Sequence, residues 1–411
     1  MGLERVVVTG MGVVSPVGNG VDAFWAALCA GKSGIRHIEA FAEAGLRCTI
    51  GGVVPDFEVA GMGPKEQGRR DRYTLLSLAA ADEAWAQSGI NIDQVDPTRC
   101  GVTFGSGIGG IDTVQDAAVT FVNKGARRVS PFAVPKCLAN MAAGEIALRH
   151  GLLGPNKAVV TACASGAQCV AEACNLIRLG QADLVVAGGA ESAVIPFGIG
   201  CFDAMRALSR RNDEPERASR PFDIDREGFV MGEGGGVLVL ESESHAKARG
   251  ATILAVISGH GETCDAHHIT APRPDGSGAA GAMRAALRLA EVTPGGICYF
   301  NAHGTGTKYN DISESIAVRD VFGETGPPVS STKSMTGHLL GGAGAIELIA
   351  CIQSIQTGVM HPSINCDTLD PECPVNLITG DAREGKVDHA MSNSMGFGGH
   401  NVSVVVSRHG A

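Results

Sequence analysis

The sequence predicts an α/β fold with strands buried on both faces, and three observations carry that reading. β-Branched runs alternate with small-residue helical stretches along all 411 residues, glycine-rich corners separate them, and the strand-like runs are apolar throughout instead of alternating in and out. With 44% hydrophobic residues, the chain can bury one large core or two medium ones.

In chain order, Arg5–Gly10 and Cys100–Gly105 read as strands, the second ending in the glycine-rich turn Gly105-Ser106-Gly107-Ile108-Gly109-Gly110. Val159-Val160-Thr161 reads as a short strand giving way to a helix. Val170, Ala173, Cys174 and Ile177 recur at helical spacing there, and Gly180 is its stop. Ala182–Gly188 and Gly235–Leu240 are further strands. Around Gly250 the pattern restarts, since 254–261 echoes 6–12, so two halves packed as one body are expected, 1–250 and 251–411. Ile297–Phe300, Val329–Ser331 and Met391–Met395 end the remaining strand-like runs. After the second comes a helix with the face Ala345, Leu348, Ile349, Ile352 and Ile355, and Val402–Val406 is a final strand.

Composition excludes several classes. A net charge of −10 argues against nucleic-acid binding, which needs a basic face. No uninterrupted apolar run is long enough for a membrane span, and no secretory signal is visible at the N-terminus. The 13 cysteines show no CxxC pair and many lie in apolar runs, which predicts reduced thiols in a cytoplasmic protein. Positive charge gathers locally, around Lys65, Arg69 and Arg70, around Lys124, Arg127 and Arg128, and around Arg206, Arg210 and Arg211. From composition alone these are equally one patch for an acidic partner or three separate solvated ones.

The chemistry-bearing residues sit where strands end, the usual ligand-binding end of an open α/β sheet. Cys163 lies between small residues at a predicted helix N-terminus, where unsatisfied N–H groups and the dipole are expected to lower a thiol's pKa. His303 falls in Asn301-Ala302-His303-Gly304-Thr305-Gly306-Thr307, and Lys333 and His338 in Ser331-Thr332-Lys333-Ser334-Met335-Thr336-Gly337-His338. Phe397 falls in Gly396-Phe397-Gly398-Gly399. The formal dinucleotide fingerprint at 105–110 lacks an acidic residue some 20 positions on, and Cys264, Asp265, His267 and His268 lack metal-ligand spacing. His268 is expected to be structural or channel-lining. Asp223, Asp225, Arg226 and Glu233 are expected to form a buried ion network shaping the site.

Cys163, His303, Lys333, His338 and the Gly396–Gly399 turn, in that order and context, resemble the β-ketoacyl-acyl-carrier-protein synthases, most closely those of type II, and blocks in register cover essentially the whole chain. The resemblance implies a thiolase-like fold, two duplicated halves forming a five-layer α-β-α-β-α body. It implies an acyltransferase that extends fatty acids by two carbons, condensing malonyl-acyl carrier protein with an acyl chain held on Cys163. A polyketide-type ketosynthase is the alternative.

In that scheme His303 and His338 hold the enolate, Lys333 biases His303, Glu347 anchors the network, and the N–H groups of Cys163 and Phe397 form the oxyanion hole. Ile108, Thr270, Thr305, Thr307, Glu347 and Gly398 make up the implied substrate-binding set, with Ile108 reaching the acyl pocket across a homodimer interface. Lys65, Arg127, Arg128 and Arg206 would meet the acidic carrier protein. No cofactor is implied, though a structural monovalent cation is allowed. The turn after His303 departs from the family, which more often has serine at Gly306 and proline at Lys308.

Overall fold

Val6–Ser15 (β1), the first strand of the computed structural model, which describes residues 4–411, is buried along its whole length. With Cys100–Gly105 (β2), Asn156–Lys157 (β3), Leu184–Glu191 (β4) and Gly234–Ser242 (β5) it forms a half-sheet in the order β3-β2-β4-β5-β1. Ala255–Cys264 (β6), Tyr299–Asn301 (β7), Val329–Ser330 (β8), His389–Gly396 (β9) and His400–Ser407 (β10) form a second, in the order β8-β7-β9-β10-β6. The two orders are the same order. Pairing directions match as well: β2 runs parallel to β3 and β4 while β5 is antiparallel to β4 and β1, and β7, β8, β9, β10 and β6 repeat this. The halves join through a short antiparallel ladder, Val6–Val8 against Ala255–Ile257.

Helices make the layers. Ser165–Arg178 (α4) and Ala343–Thr357 (α7) lie between the half-sheets. Arg72–Ser88 (α1), Ile111–Lys124 (α2) and Met141–His150 (α3) belong to the first half, and Ser277–Ala290 (α5) and Lys308–Phe322 (α6) to the second. Strand alternation shows the sandwich directly. On β5, Leu238 and Leu240 join the central core with Val170, Ile177, Leu348 and Ile352, while Val237 and Val239 join an outer core with Leu76 and Ala80 of α1. On β10, Val402, Val404 and Val406 face the centre and Val405 faces outward, towards Met283 and Ala286 of α5. α7 is buried on every side from Ala343 to Ile355, as a helix in a central layer must be.

The echo between 6–12 and 254–261 has a packing cause. A Cβ on Gly10 or Gly12 would lie 2.1 Å from the Ala84 carbonyl oxygen or 2.0 Å from that of Ala80, so these glycines let α1 settle onto β1. Gly259 and Gly261 do the same for α5 on β6, at 2.3 Å from Ala286 O and 2.1 Å from Ala282 O. One local expectation changes: 159–161 is not a strand. β3 ends at Lys157, and the chain then crosses the end of β2, where a Cβ on Gly105 would stand 2.8 Å from Val159 O.

Candidate active site

Three segments that follow strands, two from the second half and one from the first, converge on one cavity of about 600 Å³. Cys163, His303 and His338 line it, with Thr270, Thr305, Thr307 and Phe397. Cys163 sits in a single 3-10 turn, Ala162–Ala164, just before α4, and Ala162 adopts φ 50°, a left-handed conformation costly for a non-glycine residue. That strained step turns the thiol into the cavity. Gly396 brings the opposite wall close, since a Cβ there would lie 2.5 Å from Thr161 O and 3.4 Å from Cys163 N. The backbone N–H groups of Phe397 and of Cys163 itself therefore both point at the sulfur.

The thiol does not behave as local dipole reasoning expects. Burial pushes it up to about 12, outweighing Lys333 and the two N–H groups, with Glu191 adding to the rise. The resting residue is a neutral thiol. Iodoacetamide at pH 7.5 should therefore modify the exposed Cys201 and Cys264 well before Cys163, and the rate at Cys163 should still be rising at pH 10, which peptide mass spectrometry can follow.

The histidines are fixed as neutral donors. Their rings stand 5.2 Å apart, nearly perpendicular, and Phe229 braces His338 edge-on at 5.4 Å. His338 Nδ1 accepts from Leu340 N at 3.3 Å, and His303 Nδ1 accepts from Lys333 Nζ at 3.3 Å. With each Nδ1 an acceptor, each Nε2 carries the hydrogen. Burial, with Lys333 nearby, holds both imidazoles well below their ordinary pKa, and His338 depresses His303 further. Lys333 in turn donates to Glu347 Oε1 at 2.5 Å, both side chains being almost wholly buried. Glu347 does not reach the cavity lining, so its place in the implied substrate-binding set is corrected: it holds Lys333 from behind the wall.

The other implied residues are distributed as follows. The hydroxyls of Thr305 and Thr307 are 2.9 Å apart, and Thr270 Oγ1 lies 3.3 Å from His268 Nδ1. Gly398, at φ 88°, donates from its N to Ile269 O, tying the Phe397 turn to the Thr270 segment. Ile108 is exposed and outside the cavity lining. Arg206 lines the cavity, whereas Lys65, Arg127 and Arg128 lie on exposed surface away from it; none of the four has a carboxylate within salt-bridge distance among the described residues. Arg70, Arg210 and Arg211 are paired, with Glu145, Asp203 and Glu214. The expected ion network resolves into separate pairs, Arg220–Asp223, Arg226 with Asp311 and Asp370, and Arg72–Glu233, and Asp225 is exposed outside them.

Two buried acids escaped sequence reasoning. Glu191 accepts from Ser106 Oγ and from the N–H groups of Gly107, Ile108 and Gly341, clamping the turn after β2 to the turn after His338. Its carboxylate already takes up the Gly107 and Ile108 N–H groups of the 105–110 turn. Glu314 accepts from His303 N, Gly304 N and Asn393 Nδ2, and burial pushes it up to about 7 despite those three donors. A proton taken up there as pH falls through about 7 would face three donors and disturb the His303 turn. Activity should fall on that acid limb, and Glu314→Gln, permanently neutral, should show the low acid-side rate at every pH in a kcat profile.

The comparisons with known proteins agree with this geometry. The family model of the β-ketoacyl synthase N-terminal domain matches residues 3–246, and that of the C-terminal domain matches residues 254–367. The chain belongs to the β-ketoacyl synthase family. It is 46% identical to the 3-oxoacyl-[acyl-carrier-protein] synthase 2 of Vibrio cholerae, over 99% of this chain and 100% of that one. Among solved structures it is similar to a β-ketoacyl synthase from Burkholderia phymatum, at 36% identity and TM-score 0.92, covering 98% of this chain and 99% of that one. It is also similar to AntDE:AntF, described as a type II polyketide acyl-carrier protein in complex with its ketosynthase bound to the hexaketide. There the identity is 33% and the TM-score 0.92, with 99% of this chain and 100% of that one covered. In this synthase fold, Cys163 and His338 follow the equivalent strands β3 and β8 of the two halves, and His303 follows β7, the equivalent of β2.

Proposed function

We propose that the protein is a condensing acyltransferase of fatty-acid elongation, acting on acyl and malonyl groups carried by acyl carrier protein. The observation that carries the reading is one cavity holding a thiol beneath two backbone N–H groups, and beside it two neutral imidazoles locked as Nε2–H donors.

Cys163 Sγ bonds to the acyl carbonyl carbon as the carrier's C–S bond breaks, and the Cys163 proton goes to the departing carrier thiolate. Malonyl carrier protein then enters. Its C–CO2 bond breaks, and the electron pair moves onto the thioester oxygen, held by the Nε2–H groups of His303 and His338. The enolate carbon attacks the acyl-Cys163 carbonyl, and the oxyanion rests on the N–H groups of Cys163 and Phe397. Collapse expels the Cys163 sulfur, which regains a proton from solvent. Thr270, Thr305 and Thr307 offer hydroxyls to the amide-rich arm, and Phe397, between glycines, is the gate between the acyl and malonyl sites.

No step calls for an organic cofactor. A structural monovalent cation fits the donor set behind the histidines: Asn301 Oδ1, Glu347 Oε2, Ser392 Oγ and Ser394 Oγ are buried without hydrogen-bond partners, and neutral oxygens with one carboxylate suit a hard cation. Its contribution would be to hold β7, β9 and α7 together. A homodimer is supported by the open edge strand β3 and by exposed apolar side chains of the same half, among them Val119, Val122, Val134, Leu148, Leu153 and Val160. All 13 cysteines are free, which suits the cytoplasm, and no helix among the described residues is long and apolar enough to cross a membrane.

Relatives at 43–46% identity named as synthase 2 favour fatty-acid over polyketide elongation. The test is purified protein supplied with acyl and malonyl carrier protein. It should release carbon dioxide and a 3-oxoacyl product, with a saturated acyl group found on Cys163 by mass spectrometry. Transfer of only polyketide-type chains would move the assignment to the alternative.

A further inference from the structure

Residues 303–309 run as one segment from the floor of the cavity to its mouth. His303 and Thr305 are buried, Thr307 is half-buried, Lys308 is exposed, and Tyr309 is 76% exposed, and all five line the same cavity. Functional groups change with depth, from imidazole through two hydroxyls to an ammonium. Lys308 has no carboxylate within salt-bridge distance among the described residues, and Asp370, whose field it shares, is already engaged by Arg226 Nη1 at 2.7 Å and by Glu372 N. The backbone beneath it is held in place: Arg226 Nη2 donates to Lys308 O at 3.4 Å and Gly306 N donates to Asp311 Oδ1. Arg206 supplies a second unpaired cation on the same rim.

We propose that Lys308 is the contact for the phosphate of the substrate's phosphopantetheine arm, at the point where the arm leaves the cavity for its carrier. This rests on the carrier-dependent reading above and adds to it a residue at which the chain departs from its family. The chemistry is ordinary: an arm whose thioester lies at His303 and His338, and whose amides pass Thr305 and Thr307, brings its anionic end to the next exposed side chain of that segment, and a free ammonium there forms a charge-assisted hydrogen bond.

The test compares malonyl 4′-phosphopantetheine with malonyl pantetheine as small substrates of the acylated enzyme. Wild type should favour the phosphorylated substrate in KM, and Lys308→Ala should shrink that preference about three- to fivefold, the size of a rim ion pair, with kcat for the phosphorylated substrate retained. Raising salt should shrink the wild-type preference toward that of the variant. An unchanged preference in Lys308→Ala overturns the proposal. So does a variant that loses affinity only for malonyl carrier protein, since Lys308 would then meet the carrier's acidic surface. Failure of wild type to condense any malonyl substrate would instead defeat the functional reading itself.

Discussion

Cys163→Ala is expected to abolish condensation altogether while malonyl decarboxylation survives, and His338→Ala is expected to slow both steeply. The separation follows from two distinct sets of donors. The enolate is held by imidazole Nε2–H groups on the turns after β7 and β8, whereas the tetrahedral oxyanion is held by the backbone N–H groups of residues 163 and 397, which alanine at 163 leaves in place. Removing one preorganised donor to a developing oxyanion costs about 10²–10³ in rate, so His303→Ala and His338→Ala should each slow carbon dioxide release by that order. Because the two rings act on one oxygen, the double variant should fall well short of the product of the single losses. Carbon dioxide release and 3-oxoacyl product, measured side by side from malonyl carrier protein, check all four variants. Normal decarboxylation in His338→Ala would remove that ring from the chemistry.

What could be read in advance follows from how local each signal is. Cys163, His303 and His338 stand out because each follows an apolar run and sits among small residues, a pattern confined to a few neighbours. The glycine echo of 6–12 in 254–261 was legible for the same reason, and it marks strands that each accept a helix on two glycines. Glu191 and Glu314 were not legible. Their partners are backbone N–H groups of turns, as far off as Gly341, and side chains as distant as Asn393, so nothing beside them in the sequence marks them. The thiol shows the same limit from the other side: a dipole argument uses only the helix that follows Cys163, whereas burial is set by the turns of both halves that close over it. The family resemblance assigns Glu347 to the network, but only the fold shows that it faces Lys333 and not substrate.

That pair carries the second large expectation. Lys333→Met leaves the Glu347 carboxylate in the central layer without a hydrogen-bond donor, its other oxygen having none already, and breaking a buried ion pair in this way costs about 3–5 kcal/mol. Glu347→Leu strands the ammonium with only His303 Nδ1 to receive it, and should be destabilising to a similar degree. The double variant, Lys333→Met with Glu347→Leu, replaces two desolvated charges by apolar chains of similar length and should recover most of the lost stability in denaturant unfolding, a strongly non-additive result. Activity should not recover with it. Without Lys333, His303 Nδ1 has no donor, so the ring is free to carry its hydrogen there and turn an acceptor toward the thioester oxygen. Decarboxylation should stay about 10- to 100-fold below wild type, with KM for malonyl carrier protein little changed, as when partners that orient functional histidines are removed. A double variant that regains both stability and rate would show that the ion pair only fills space behind His303; one that regains stability alone assigns Lys333 the task of holding the His303 hydrogen on Nε2.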